Sequence, residues 1–143
     1  MAEVVAVAAD HGGYELKSVL LPELHALGYD VLDLGTNSRD AVDYPDFAEL
    51  VAQAVEAGKA RFGVLICGTG IGMSIAANRY RKVRAALCHD VTTARLARQH
   101  NDANVLTLGG RVLGAETAKD CLKIFFSTAF EGGRHARRVA KLS

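Results

Sequence analysis

The sequence predicts an α/β protein, a doubly wound, Rossmann-like three-layer αβα arrangement around a five-stranded parallel sheet. Three observations predict it. Five short apolar runs rich in Val, Leu, Ile and Ala recur along the chain, amphipathic stretches separate them, and polar, glycine-bearing turns follow them. Continuously apolar runs suit strands covered on both faces. Strand–helix alternation implies βαβ crossovers and hence parallel pairing.

The first run, Val4–Ala9, leads through Asp10-His11-Gly12-Gly13 into a helical stretch, Tyr14–Leu27. Pro22 lies inside that stretch and is expected to kink or split it, because proline lacks the N–H and its ring crowds the preceding turn. The second run, Tyr29–Leu34, is followed by Gly35-Thr36 and a loop closed by Asp43-Tyr44-Pro45. Pro45 suits the first position of the next helix, predicted over Asp46–Ala57. The third run, Phe62–Cys67, passes through Gly68-Thr69-Gly70-Ile71-Gly72 into a helix over Ile71–Tyr80. Val83–Cys88 is the fourth run, followed by His89-Asp90 and a helix over Thr92–Gln99. Asn104–Leu108 is the fifth, followed by Gly109-Gly110-Arg111 and a helix over Ala115–Ala129. A short helix over Arg134–Leu142 completes the pattern.

Composition bounds the rest. At 143 residues and half apolar, residues 1–143 read as a single domain able to bury its own core without disulfides or metal. A formal net charge of +1 excludes a global electrostatic footprint for nucleic acid. The apolar run Val4–Ala9 is far short of the roughly 20 residues of a membrane span, and no basic segment precedes it as in a secretory signal. A cytoplasmic location is therefore expected. Three cysteines without paired spacing predict neither a disulfide framework nor a zinc site. No metal and no organic cofactor are expected.

In such sheets ligands bind beyond the carboxyl ends of the strands, and the most informative segment there is Cys67–Gly72. Glycines at alternate positions let the backbone turn tightly and approach a ligand. Successive N–H groups ahead of a helix make an anion site. The phosphate-loop pattern fails for want of its lysine, and the dinucleotide fingerprint fails because its third glycine falls one position early, at Gly72. What remains is a thiol at the lip of a ring of backbone donors that stabilise a thiolate. The alternative is a small buried filler, the commoner fate of a free cysteine; position alone leaves both open. Cys88 and Cys121 read as core residues. His100-Asn101 closes a helix, where an imidazolium is favoured or the ring merely caps. Asp10 is open to a site role or to an N-cap. Arg134 and Arg138, four apart in a basic C-terminal stretch, share one helical face and suit phosphate, or else form a solvated tail.

Taken together these residues resemble the ribose-5-phosphate isomerase B family, which includes galactose-6-phosphate and allose-6-phosphate isomerases. The resemblance covers essentially the whole chain. It rests on Asp10-His11-Gly12, Gly35-Thr36, Asp43-Tyr44-Pro45, Cys67-Gly68-Thr69-Gly70-Ile71-Gly72, Ile75-Ala76-Ala77-Asn78, Arg98-Gln99-His100-Asn101-Asp102, Asn104-Val105-Leu106 and Glu131-Gly132-Gly133-Arg134-His135. It implies a homodimer or tetramer that needs no metal or cofactor, acts on a small sugar phosphate and touches neither nucleic acid nor membrane. It further implies that Cys67 moves a proton between C1 and C2 and that His100, helped by Asp10 and Thr69, opens the sugar ring. Gly68, Gly70, Ile71 and Gly72 would hold the enediolate, with Tyr44 beside them. The phosphate would meet His11, Arg134 and Arg138, with Arg111, His100 and Asn101 reaching in from a partner subunit. One branch of the family lacks the cysteine and carries glutamate at the place of Met73; this chain resembles the cysteine branch. The chemistry suits the residue types, since an aldose–ketose isomerase needs one proton-holding base and fixed donors for the oxyanion. Competing expectations are a hexose-phosphate isomerase, a non-catalytic phosphate- or nucleotide-binding module, and a redox sensor in which Cys88 or Cys121 approaches Cys67.

Overall fold

The structure, a computed structural model, describes residues 2–143. Its elements run β1 (Val4–Ala9), α1 (Tyr14–Ala26), β2 (Asp30–Asp33), α2 (Tyr44–Glu56), β3 (Phe62–Cys67), α3 (Ile71–Ala77), β4 (Ala85–Leu87), α4 (Val91–Asn101), β5 (Val105–Gly109), α5 (Ala115–Ser127) and α6 (Arg134–Ala140). The five strands form one parallel sheet in the order β2-β1-β3-β5-β4.

All the predicted elements form, and their boundaries move for local reasons. Contrary to expectation, α1 is not split at Pro22. The intrahelical bond proline forfeits would have gone to the carbonyl of Ser18, an exposed residue whose oxygen water can serve. The edge strands are shorter than predicted. Before β4, the Asn104 side chain accepts the Arg84 N–H at 2.8 Å and donates to the Lys82 carbonyl at 2.8 Å, so a side chain replaces the ladder and the strand starts at Ala85. α2 begins at Tyr44, ahead of the proline, and α3 ends at Ala77. There Asn78 exchanges two hydrogen bonds with the backbone of Ala85. α4 is longer than predicted because Asp90 caps it, accepting the Thr93 N–H at 2.7 Å, and left-handed Asp102 closes it.

Two apolar clusters fill the space on either side of the sheet. On one face Leu20 and Leu24 of α1, Ala94 of α4, and Leu122 and Phe125 of α5 pack on Val5, Val7, Ile66 and Leu108. On the other, Ala48, Val51 and Ala52 of α2 and Met73 of α3 pack on Ala6, Ala8 and Leu65. Close approach there depends on glycine, since a Cβ at Gly63 would lie 2.5 Å from Val51 Cγ1. The connection through α1 leads outward from β1 to β2; the next, through α2, crosses back past β1 to β3 on the opposite face. The chain therefore diverges between β1 and β3, and their carboxyl ends open the crevice where such sheets bind ligands.

Candidate active site

Asp10 leaves β1 into this crevice. It is buried, and its Oδ1 accepts the N–H groups of Gly12 at 2.9 Å and Gly13 at 3.2 Å. It thus shapes the turn, and Gly13 occupies the N-cap of α1. The Asp10 N–H donates to the Ile66 carbonyl, tying this turn to β3. Cys67 ends β3 and is 5% exposed. Its Sγ accepts the N–H of Gly70 at 3.1 Å. That bond requires the chain to double back, which Gly70 does at φ +80°; a Cβ there would meet Leu87 Cδ1 at 2.6 Å. The exposed Thr69 places its Oγ1 3.2 Å from the donating N–H of Ile71. Gly70 and Ile71, expected to offer their N–H groups to a ligand, therefore spend them on Cys67 and Thr69. The N–H groups of Gly68 and Thr69 make no hydrogen bond among the described residues.

Neighbouring loops frame this turn. The Gly110 N–H donates to the Cys67 carbonyl at 2.8 Å, and the Arg111 N–H to the Gly68 carbonyl at 2.9 Å. The Arg111 side chain lies over Gly68, and the Tyr44 ring lies so close to Gly72 that a Cβ there would come within 2.5 Å of it. His11 Nδ1 accepts the Val42 N–H at 3.2 Å, so the neutral ring carries its proton on Nε2. His11, Gly12, Glu15, Arg39 and Arg111 line a hollow of about 340 Å³.

The remaining predicted residues lie elsewhere. α4 runs antiparallel to the strands, so His100 and Asn101 reach the amino edge of the sheet, where Val105 starts β5. Cys67 pairs with Gly109 at the other end of that strand, roughly 13 Å away at about 3.3 Å per residue. Arg98, 4% exposed, fixes this corner: it reaches Asp102 Oδ1 at 2.9 Å and the carbonyls of Ala103 and Thr128. His100, Asn101 and Arg138 share a hollow of about 270 Å³ with His135, and Arg134 opens α6 beside it. The grouping differs from the one the resemblance implied. Arg111 sits with His11, and His100 and Asn101 sit with Arg138, because each follows its own sheet edge.

Glu131 and His135, to which the resemblance assigns no role, meet His100 at this edge. The rings of His100 and His135 stack at 4.3 Å with 12° between their planes. Glu131 Oε1 lies 4.0 Å from His100 Nε2 and 3.5 Å from His135 Nε2. Burial, the neighbouring His100 and Arg134 hold His135 below the usual histidine range, with Glu131 opposing. The four-residue spacing of Glu131 and His135 was visible in the sequence; their meeting with His100 was not. Cys88 and Cys121 are buried in the α1/α4/α5 cluster, whereas Cys67 belongs to the α2/α3 cluster on the opposite face. The sheet thus separates Cys67 from the two cysteines that a redox sensor would need. Burial pushes both of their thiols up to about 11. No described helix is long and apolar enough to cross a membrane.

One crevice thus joins a thiol, two free backbone donors, a hydroxyl, a carboxylate and an imidazole, a set suited to moving a proton next to a carbonyl. The family model described as Ribose/Galactose Isomerase matches residues 5–142. The ribose-5-phosphate isomerase B of Escherichia coli (strain K12) is 45% identical over 139 residues, covering 97% of this chain and 93% of that protein. A crystal structure of a ribose 5-phosphate isomerase from Thermotoga maritima superposes with a TM-score of 0.96 at 51% identity, covering 99% of this chain and 98% of that one. The type B ribose 5-phosphate isomerase of Trypanosoma brucei superposes with a TM-score of 0.97 at 43% identity, covering 99% and 97%.

Proposed function

We infer that this chain, which belongs to the ribose/galactose isomerase family, interconverts ribose 5-phosphate and ribulose 5-phosphate. The observation that carries the mechanism is Cys67 Sγ at the carboxyl end of β3, held by the Gly70 N–H beside the free N–H groups of Gly68 and Thr69. As thiolate, Cys67 removes the C2 proton of the opened aldose. The electron pair passes to the O1 carbonyl oxygen, giving the enediolate; the O2 hydroxyl proton then shifts to O1, C2 becomes the carbonyl carbon, and the thiol returns its proton to C1. Gly68 and Thr69 offer free donors to the developing oxyanion. Asp10 keeps the facing turn in place, and the Thr69 hydroxyl and the Tyr44 ring border the reacting carbons.

Ring opening needs a second acid–base group, and within one chain His100 lies at the far sheet edge. We therefore assign it to a second copy of the chain, which brings its His100, Asn101, Arg134 and Arg138 against the first copy's His11 and Arg111. The phosphate is gripped from both sides, and that grip holds C1 and C2 at the thiol. Exposed apolar side chains on α3, Ile71 and Ile75, support an association of copies close to the crevice.

The test is a coupled assay with ribose 5-phosphate. Cys67→Ala is expected to lower kcat about 10²–10⁴-fold with unchanged circular dichroism and substrate binding. Wild-type turnover in that variant removes Cys67 as the base. Arg134→Ala and Arg138→Ala are expected to raise KM more than they lower kcat. Equal losses on a sugar without phosphate contradict the grip. Higher turnover of allose 6-phosphate or galactose 6-phosphate than of ribose 5-phosphate would reassign the sugar.

A further inference from the structure

The corner between α4 and α6 sets two residues that the isomerase reading does not use, Glu131 and His135, against His100. His100, Glu131 and His135 each present one ligand atom, and the three atoms lie within 4.8 Å of one another. Two imidazole nitrogens and one carboxylate oxygen form a borderline set that suits Zn²⁺, Co²⁺ or Ni²⁺ and leaves positions open for water. Tetrahedral zinc at about 2.0–2.1 Å from each ligand needs donors roughly 3.4 Å apart. The Glu131 to His135 separation, 3.5 Å, already meets that spacing, and the Glu131 to His100 separation, 4.0 Å, nearly does.

We propose that His100, Glu131 and His135 capture a divalent transition-metal ion. One adjustment is required. The rings are nearly parallel, so their lone pairs do not yet converge. His135 is held by packing, whereas the side chains of His100 and Glu131 are 39% and 49% exposed. In the single chain these two have room to turn edge-on and close around the ion. Arg138, on the same hollow, opposes a cation and weakens the expected affinity.

The site is independent of the isomerase reading, but its consequence rests on it. An ion on His100 occupies the lone pair that would take up a proton in ring opening, so turnover is expected to fall as the site fills.

The experiment is calorimetric titration of the metal-free full chain with Zn²⁺, paralleled by Co²⁺ absorption spectroscopy. The expected result is one ion per chain, with affinity lowered at least tenfold in His135→Ala and in Glu131→Gln and retained in Cys67→Ser. Glu131 is half exposed, so its variant separates lost ligation from lost folding. Three results overturn the proposal: no binding at millimolar Zn²⁺, unchanged binding in both ligand variants, or a cobalt–thiolate band that vanishes in Cys67→Ser. Because binding is read without substrate, an ion that binds as stated and leaves turnover intact refutes the role of His100 and not the site.

Discussion

Lys17 is 2% exposed, and its Nζ meets Asp33 Oδ1 at 2.7 Å, the one ion pair it makes among the described residues. A buried ammonium with one partner is tolerable only while that partner stays. Asp33 also accepts the Gly35 N–H at 3.0 Å, so one carboxylate holds both the cation and the turn that follows β2. Asp33→Asn is expected to cost about 3 kcal/mol in denaturant unfolding, and adding Lys17→Met is expected to recover most of it. A loss below about 0.5 kcal/mol, the level of a surface pair, would contradict this account. Nothing in the sequence marks Lys17 as buried, because helical spacing places a residue on a face without revealing what covers that face. Cys67 was legible as a strand-end thiol; its bond to the Gly70 N–H was not, since that bond depends on a left-handed turn.

At the scale of elements, the turn from β3 into α3 decides whether the sulfur keeps its donor. Gly70→Ala would place a Cβ 2.6 Å from Leu87 Cδ1 and 2.9 Å from the Leu108 carbonyl carbon, at φ +80°. The expected outcome is a loss of about 1–3 kcal/mol in stability and a drop in kcat larger than any change in KM. Thermal unfolding and steady-state kinetics check it, and wild-type values for both would contradict the role of this turn. The strands were legible because buried parallel strands are continuously apolar. Their ends were less so. A single side chain, Asn104, replaces the ladder before β4, and Asp90 extends α4 by capping it. Pro22 sits inside α1 without ending it, because the penalty of a helical proline is a lost bond whose cost depends on whether the freed carbonyl meets water.

For the whole molecule, the proposed sharing of the site between two copies makes a sharp demand. Cys67→Ala and His100→Ala chains, each inactive alone, should complement when mixed and allowed to exchange. Random dimers would recover about a quarter of wild-type activity, since half are mixed and each mixed dimer has one intact site. No recovery would place Cys67 and His100 in one chain and contradict the arrangement drawn from the sheet edges. Stability in alkali is a second global property. Cys88 and Cys121 stay protonated in the fold up to about pH 11, whereas the unfolded thiols ionise near 9. The unfolded state therefore binds fewer protons in that interval, and stability, intact below pH 9, falls as pH rises towards 11. Melting temperatures across this range should fall less steeply in a Cys88→Ala, Cys121→Ala variant; identical slopes would refute the assignment. By itself the sequence determined the order of strands and helices, the parallel sheet and the gathering of Asp10, Cys67 and Arg111 at strand ends, because apolar periodicity and turn residues are local signals. Only the tertiary structure decided that β5 lies between β3 and β4, that His100 stands at the far edge from Cys67, and that His100, Glu131 and His135 meet. Those facts depend on which surfaces bury one another across long stretches of chain, and no local pattern encodes that.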